Sequence, residues 1–228
     1  MSNKYPYPEL TTQEYLGLRW YETPNGTFFP SITTILGTTA PEESKQALAN
    51  WRNSLGHAKA DAHSKARADH GTNVHLLAER YLKGEEVFAS INGSDVPQGD
   101  KVAFNALKLK LDKVEEVWGQ ECALYSNFFE VAGRCDLIGV YKKKPVIIDF
   151  KTSGRLKGDK DIYDYKLQLA FYGAAHNEMF GTSIEEGVVL MVAQNGFPLE
   201  FTFKLEDFYE PLQTRVQEFY EMIVNKKH

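Results

Sequence analysis

The chain has 228 residues, 43% of them hydrophobic and 13% aromatic, with a formal net charge of −5. That length and apolar content can bury the core of one large domain. The negative balance excludes a wholesale basic coat, so any nucleic-acid footprint must be a local patch.

The opening MSNKYPYPEL has no apolar run of signal-peptide type, and no stretch approaches the length of a membrane span. Residues 1–17 read as an arm with a short helix near 12–16. Asn25-Gly26 lies between RWYETP and TFF and predicts a small hairpin with a type I′ turn. A short helix follows Pro30. Ser31 can serve as its N-cap or offer its hydroxyl to a phosphate. Thr39-x-x-Glu42, with Pro41 in the first turn, predicts a capping box. The helix behind it is expected to bury Ala47, Leu48, Trp51 and Leu55. A second segment, 57–70, is rich in alanine and lysine. Gly71 is expected to end it and Thr72 to cap the next helix. That helix, 72–82, shows an apolar stripe at Val74, Leu77, Ala78 and Tyr81. His75 and Glu79 border the stripe at i, i+4. There they can close the edge of a core or present ligands to a metal.

Residues 83–98 read as a loop or minor hairpin, 101–118 as an apolar helix, and 121–129 as a strand. Cys122 and Cys135 would be sheet neighbours if the strands run this way, as free buried thiols of a reducing compartment. The next stretch, GRCDLIGVYKKKPVIIDFK, reads as a β-hairpin. Cys135, Leu137 and Gly139 alternate on one strand, and Val146, Ile148 and Phe150 on the other. With Lys142 and Lys143 as the loop, paired positions sum to 285, and Asp136 falls opposite Asp149. Opposed Cβ atoms are about 5 Å apart, so two carboxylates there repel unless a cation sits between them. Mg²⁺ or Mn²⁺ suits such oxygen ligands. Lys151, on the same strand face as Asp149, could hold an attacking water or an anionic transition state.

A polar loop over 152–160 leads to a helix over 161–177. Leu167, Ala170, Phe171 and Ala174 look inward there, while Tyr165, Gln168 and Tyr172 line another face. GVVLMVA predicts a strand buried on both faces, and Asn195-Gly196 turns it into FPLEFTF. A C-terminal helix over 211–224 is expected to bury Leu212, Val216, Phe219 and Ile223. No repeat and no linker divides the chain. One domain is predicted: an arm and hairpin (1–30), a mostly helical part (31–118), a catalytic sheet and helix (119–204) and the C-terminal helix (205–228).

Asp136 followed by Asp149-x-Lys151 resembles the D…(D/E)xK signature of the PD-(D/E)xK nuclease superfamily. His75 within GTNVHLLAERY, and Gln168-x-x-x-Tyr172, resemble further motifs of its RecB-type branch. The stretch FPSITTIL…NWRNSLG…GTNVH is similar to the mitochondrial genome maintenance exonuclease group and its phage-encoded relatives. The likeness covers residues 29–172. It implies an α/β fold with a restriction-endonuclease-like core, in which helices flank a mixed central sheet behind a helical N-terminal portion. It implies a metal-dependent deoxyribonuclease acting as an exonuclease on single-stranded DNA ends, in replication, repair or recombination. Asp136, Asp149, His75 and the Phe150 carbonyl would hold Mg²⁺ or Mn²⁺. Lys151 would orient or activate the water, and Gln168 and Tyr172 would position the strand and the lysine. Ser31, Thr33, Arg52, Arg134, Thr152, Ser153, Tyr165 and Lys166 are the expected nucleic-acid contacts, and Glu79 is a further candidate beside the motifs.

Two departures from the pattern stand out. Cys135 occupies the place of the superfamily's proline, and two cysteines cannot supply the four-cysteine iron–sulfur cluster of many RecB-type relatives. Lys59, Lys65, Arg67, Arg134, Arg155, Lys157, Lys160 and Lys166 are candidates for a basic strand path. Two other readings use the same residues: a structure-specific endonuclease, and a non-catalytic single-stranded DNA-binding protein. The expected setting is the cytoplasm of a bacterial or phage-infected host cell, with a replication or recombination partner open and no membrane association.

Overall fold

The computed structural model describes residues 3–193 and 196–225. Its N-terminal part is an antiparallel sheet of β1 (Thr11–Tyr15), β2 (Leu18–Glu22) and β3 (Phe28–Pro30). The 12–16 segment is therefore a strand, not a helix. Its Thr-Thr-Gln-Glu-Tyr sequence is exposed along its whole length, so it lacks the apolar alternation that marks a half-buried strand. The expected hairpin between β2 and β3 forms with Gly26 at φ +81°, but Asn25 is not at positive φ, so the turn is not the type I′ expected.

Helix α1 (Ile32–Thr38) starts at Ser31, whose hydroxyl accepts from the Thr34 N–H at 3.0 Å. The expected capping box is absent from α2 (Glu42–Leu55), whose N-cap is Pro41 with no side-chain bond. Thr39 instead donates to the Ile35 carbonyl and contacts Arg215 Nε. The stripe predicted to be buried on α2 is not buried. Leu48 is 57% exposed, and the main packing partner of this helix among the described residues is α3. Helix α3 (His57–Lys83) is one 27-residue rod where two helices were expected. Gly71 sits in its interior with helical backbone rather than as a stop. A Cβ there would lie 3.6 Å from Thr152 Oγ1, so the helix passes close to a sheet strand at that point.

The larger sheet has the order β4-β5-β6-β7-β8: β4 (Val114–Ser126), β5 (Val131–Tyr141), β6 (Lys144–Ser153), β7 (Glu186–Ala193) and β8 (Pro198–Lys204). Only β6 and β7 run parallel, so the sheet is mixed. The apolar helix expected over 101–118 is α4 (Gln98–Leu111), and the strand after it begins seven residues earlier than expected. Helices α3 and α4 cover one face, packing Val74, Leu77, Phe104 and Leu107 on Leu137, Ile148 and Val188. On the other face lie α1, α5 (Tyr163–Phe180) and α6 (Tyr209–Asn225). Leu212, Val216, Phe219 and Ile223 of α6 are buried as their spacing predicts. The β7 residues alternate between the two cores, as a strand covered on both faces must. The Asn195 half of the predicted Asn-Gly turn lies outside the described residues. Among those described, no helix is long and apolar enough to cross a membrane.

The β5–β6 hairpin has the predicted register, from Tyr141↔Lys144 to Leu137↔Ile148, with Lys142 and Lys143 both at positive φ. One feature differs. Cys135 packs into one core and Leu137 into the other, so side-chain alternation breaks at Asp136. The break lies opposite Glu121 of β4, which has φ +49° and is bracketed by the pairs Gln120↔Leu137 and Cys122↔Cys135. Lower on the same pair, Gly139 meets a register shift in β4, where the Glu116 backbone comes close enough to overlap a Cβ. Gly139→Ala is expected to destabilise the protein by about 1–3 kcal/mol. An unchanged urea midpoint would refute this close approach.

Candidate active site

Four elements bring their polar side chains to one end of the sheet. Helix α3 brings His75, β4 Glu121, β5 Asp136, and β6 Asp149 and Lys151. The Phe150 backbone ties them together. Its N–H donates to Asp136 Oδ2 at 2.7 Å, and its carbonyl accepts from His75 Nε2 at 2.7 Å. A carbonyl only accepts, so Nε2 carries a proton, and in the neutral ring Nδ1 then keeps the lone pair. That Nδ1 faces Asp136 Oδ2 at 3.5 Å. Two acceptors aimed at one space leave room for a cation between them. Glu121 completes the group: one ligand atom each from His75, Glu121 and Asp136 all lie within 4.8 Å of one another. His75 and Glu121 face an open cavity of about 690 Å³ that Thr72, Glu79 and Arg134 also line.

Crowded acids in a half-buried place hold their protons. Burial first, and then the charge of Asp136, push the Glu121 carboxyl up to about 7. Burial also raises Asp149, against the pull of Lys151 and with Asp136 adding to the rise. For Lys151 burial works downward, but the charges of Asp149 and Asp136 outweigh it and hold the amine above its usual range. Lys151 is thus an ammonium at neutral pH, a hydrogen-bond donor and not a base. Its Nζ donates to Asp149 Oδ1 at 2.6 Å. It also lies 2.5 Å from Oδ2, which makes no hydrogen bond among the described residues. The Tyr165 ring lies 4.9 Å from Lys151 Nζ and 4.8 Å from Lys157 Nζ.

Several expected residues sit elsewhere or are engaged differently. The acid opposed to Asp136 is Glu121 across β4, not Asp149, whose oxygens are taken up by Lys151. The Phe150 carbonyl accepts from His75 instead of standing open. Gln168 donates to the Tyr172 hydroxyl at 3.0 Å, and both are buried, so neither reaches a strand on the surface. Tyr172 instead fills the space over Gly133, where a Cβ would lie 2.9 Å from its ring. Lys166 is buried against Phe203 and Phe208 and pairs with Asp159, which removes it from any DNA path. Ser31 is fully buried as a helix cap, and Ser153 is buried with its hydroxyl on the Arg155 carbonyl. Thr33 accepts from Arg19, Arg52 pairs with Asp61, and Glu79 pairs with Lys83. Thr152 is half-buried beside Gly71, and Arg134 is exposed at the cavity with its guanidinium on the Glu121 carbonyl. Glu121 is the residue the sequence reading missed. Its signal was present: if Cys122 and Cys135 are neighbours, Glu121 faces Asp136.

A sequence model of the PD-(D/E)XK nuclease superfamily matches residues 48–224. The chain belongs to that superfamily. The matched span holds all five residues at this centre, and nucleases of the superfamily use divalent metals. The chain is 26% identical over 207 residues to mitochondrial genome maintenance exonuclease 1 of Xenopus tropicalis, covering 86% of the chain and 58% of that protein. With the Mus musculus protein of the same name it shares 25% over 186 residues, covering 78% and 54% respectively. The chain thus spans little more than half the length of these relatives. A crystal structure of a candidate exonuclease from Eubacterium rectale superposes on 65% of each chain, with 12% identity and a TM-score of 0.44.

Proposed function

We propose that this nuclease chain is an exonuclease that hydrolyses DNA phosphodiesters from single-stranded ends with Mg²⁺ or Mn²⁺. The observation that carries the reading is the convergence of His75, Glu121 and Asp136 on one space beside the Asp149–Lys151 pair. The donor set fits a hard divalent ion: two carboxylates and one imidazole, with the buried cysteines kept away from it. His75, Glu121 and Asp136 would hold the ion, with Asp149 beside them. A bound ion supplies charge stabilisation and a water of lowered pKa. Lys151 aims an ammonium at the reacting phosphate, where negative charge develops. Asp149 fixes that ammonium, and the Tyr165 ring limits its swing. The Phe150 amide holds Asp136, and the Phe150 carbonyl sets the ring orientation of His75. The names of the similar proteins support the exonuclease reading and a setting in genome maintenance, with replication, repair or recombination as the pathway class. The cytoplasm of a bacterial or phage-infected host cell is the proposed location.

End-labelled linear and circular DNA, single- and double-stranded, test this with and without Mg²⁺. Shortening of linear single strands only with the metal, and intact circles, are the expected results. Cleaved circles would reject the exonuclease in favour of an endonuclease on the same centre. Binding without cleavage under every condition would reject catalysis.

A further inference from the structure

Helix α3 has a second polar site about two turns before His75, centred eight residues earlier in the chain. There a cavity of about 330 Å³ is lined by His63, Arg67, His70, Val102, Ser153 and Ala193. Its centre is Arg67. The guanidinium is half-buried, yet it makes no hydrogen bond or ion pair among the described residues. It lies flat on the turn after β6, where a Cβ at Gly154 would be 2.7 Å from the guanidinium carbon. Glycine leaves room for this approach, and a Cβ there would make the guanidinium shift. His70 is oriented as well. Its Nδ1 lies 2.5 Å from Asp100 Oδ1, and the other oxygen of that buried carboxylate accepts from Asn73 at 2.6 Å. Asp100 is thereby spent on His70 and Asn73, which leaves Arg67 without a counter-charge. A half-buried guanidinium with five donors and no acceptor is unsatisfied, and an oxyanion satisfies it.

We propose that this cavity holds a phosphate group of the DNA strand, gripped by Arg67 and His70 while the metal centre acts on another phosphate. The proposal rests on the nuclease reading for the identity of the strand. Arg67 and His75 are eight residues apart on one rigid helix, about 12 Å along its axis. The two sites lie on either side of the point where Gly71 passes Thr152. A strand crossing the end of β6 there would meet both. The phosphate is either the terminal one or one within the chain, and the two sources bind through the same chemistry.

Fluorescence anisotropy of the full chain in EDTA keeps cleavage silent. The probes are one single-stranded sequence with a 5′-phosphate, a 5′-hydroxyl or a 3′-phosphate, and its circular form. Arg67→Gln is expected to raise the dissociation constant about tenfold and to lower the salt slope of log Kd by about one. Gly154→Ala, which keeps the arginine but displaces it, is expected to act in the same direction. Arg67→Lys is expected to restore part of the salt slope but little of the affinity, because a lysine lacks the planar fork. A loss confined to one phosphorylated end supports the terminal phosphate, and an equal loss on linear and circular probes supports an internal one. Unchanged affinity and salt slope in both Arg67→Gln and Gly154→Ala overturn the proposal, even where the wild-type chain cleaves with Mg²⁺. A wild-type chain that binds in EDTA but never cleaves with Mg²⁺ removes the nuclease reading, and the variants still decide the cavity.

Discussion

Lys151→Met is expected to lower kcat by about 10³-fold or more, with KM for DNA far less affected. The lysine's charge is aimed at charge that develops only in the transition state, so its loss appears in kcat. Stability separates this from misfolding. In the single variant, Asp149 stays 1% exposed at its side chain with its counter-charge gone. Breaking such a pair from one side costs about 3–5 kcal/mol. The remaining carboxylate can escape by taking a proton. Its folded-state pKa is already raised by burial, so the stability linked to protonation is present at low pH and lost as pH rises through the raised value. The melting temperature of Lys151→Met should therefore recover on going from pH 8 to pH 5. The double variant Asp149→Asn with Lys151→Met removes both charges. It should melt near the wild type at every pH and remain inactive. Appreciable Mg²⁺-dependent cleavage by the double variant would remove this pair from the chemistry.

Glu121→Gln is expected to stabilise the metal-free protein at pH 8 and to weaken its response to Mg²⁺. Burial and the Asp136 charge hold the Glu121 carboxyl at about 7, above the ordinary 4.5. A raised acid contributes stability fully below its unfolded pKa and loses it as pH rises through the folded one. The metal-free wild type should thus lose stability between about pH 4.5 and 7. The loss is about 1–2 kcal/mol once solvent screening of this partly exposed group is allowed for. A divalent ion replaces that proton, so the Mg²⁺-induced rise in melting temperature should be larger at pH 8 than at pH 6. In Glu121→Gln both the pH-dependent loss and most of the Mg²⁺ rise should vanish, and Mg²⁺ affinity should fall by about ten- to a hundredfold. A variant that titrates with Mg²⁺ like the wild type would take Glu121 out of the ion site.

What the sequence made legible follows from where short-range physics decides. The β5–β6 register needed only the two-residue Lys142-Lys143 turn, and α6 needed only a stripe with a core to meet it. The resemblance marked Asp136, Asp149, Lys151 and His75, and these four do converge. The failures came from tertiary context. An apolar stripe on α2 reads like α6, but no element lies over it to bury it. Gly71-Thr72 reads as a stop and a cap, yet the helix runs on through both residues with no positive φ at Gly71. Lys166 and Gln168 look like strand-binding groups on a helix face, whereas α5 is buried over most of its circumference. Glu121 was missed although its strand was expected to include it, because the Cys122 and Cys135 pairing was not carried one position further to Asp136.

The proposed ion-site donors come from residues 75, 121 and 136, on one helix and two strands that are far apart in sequence. An unfolded chain cannot gather them at useful concentration, so the ion is a ligand of the native state alone. Whatever loosens α3 from the sheet must also lower divalent affinity. A titration with Mg²⁺ therefore doubles as a gauge of how firmly the long helix is docked, readable without any DNA.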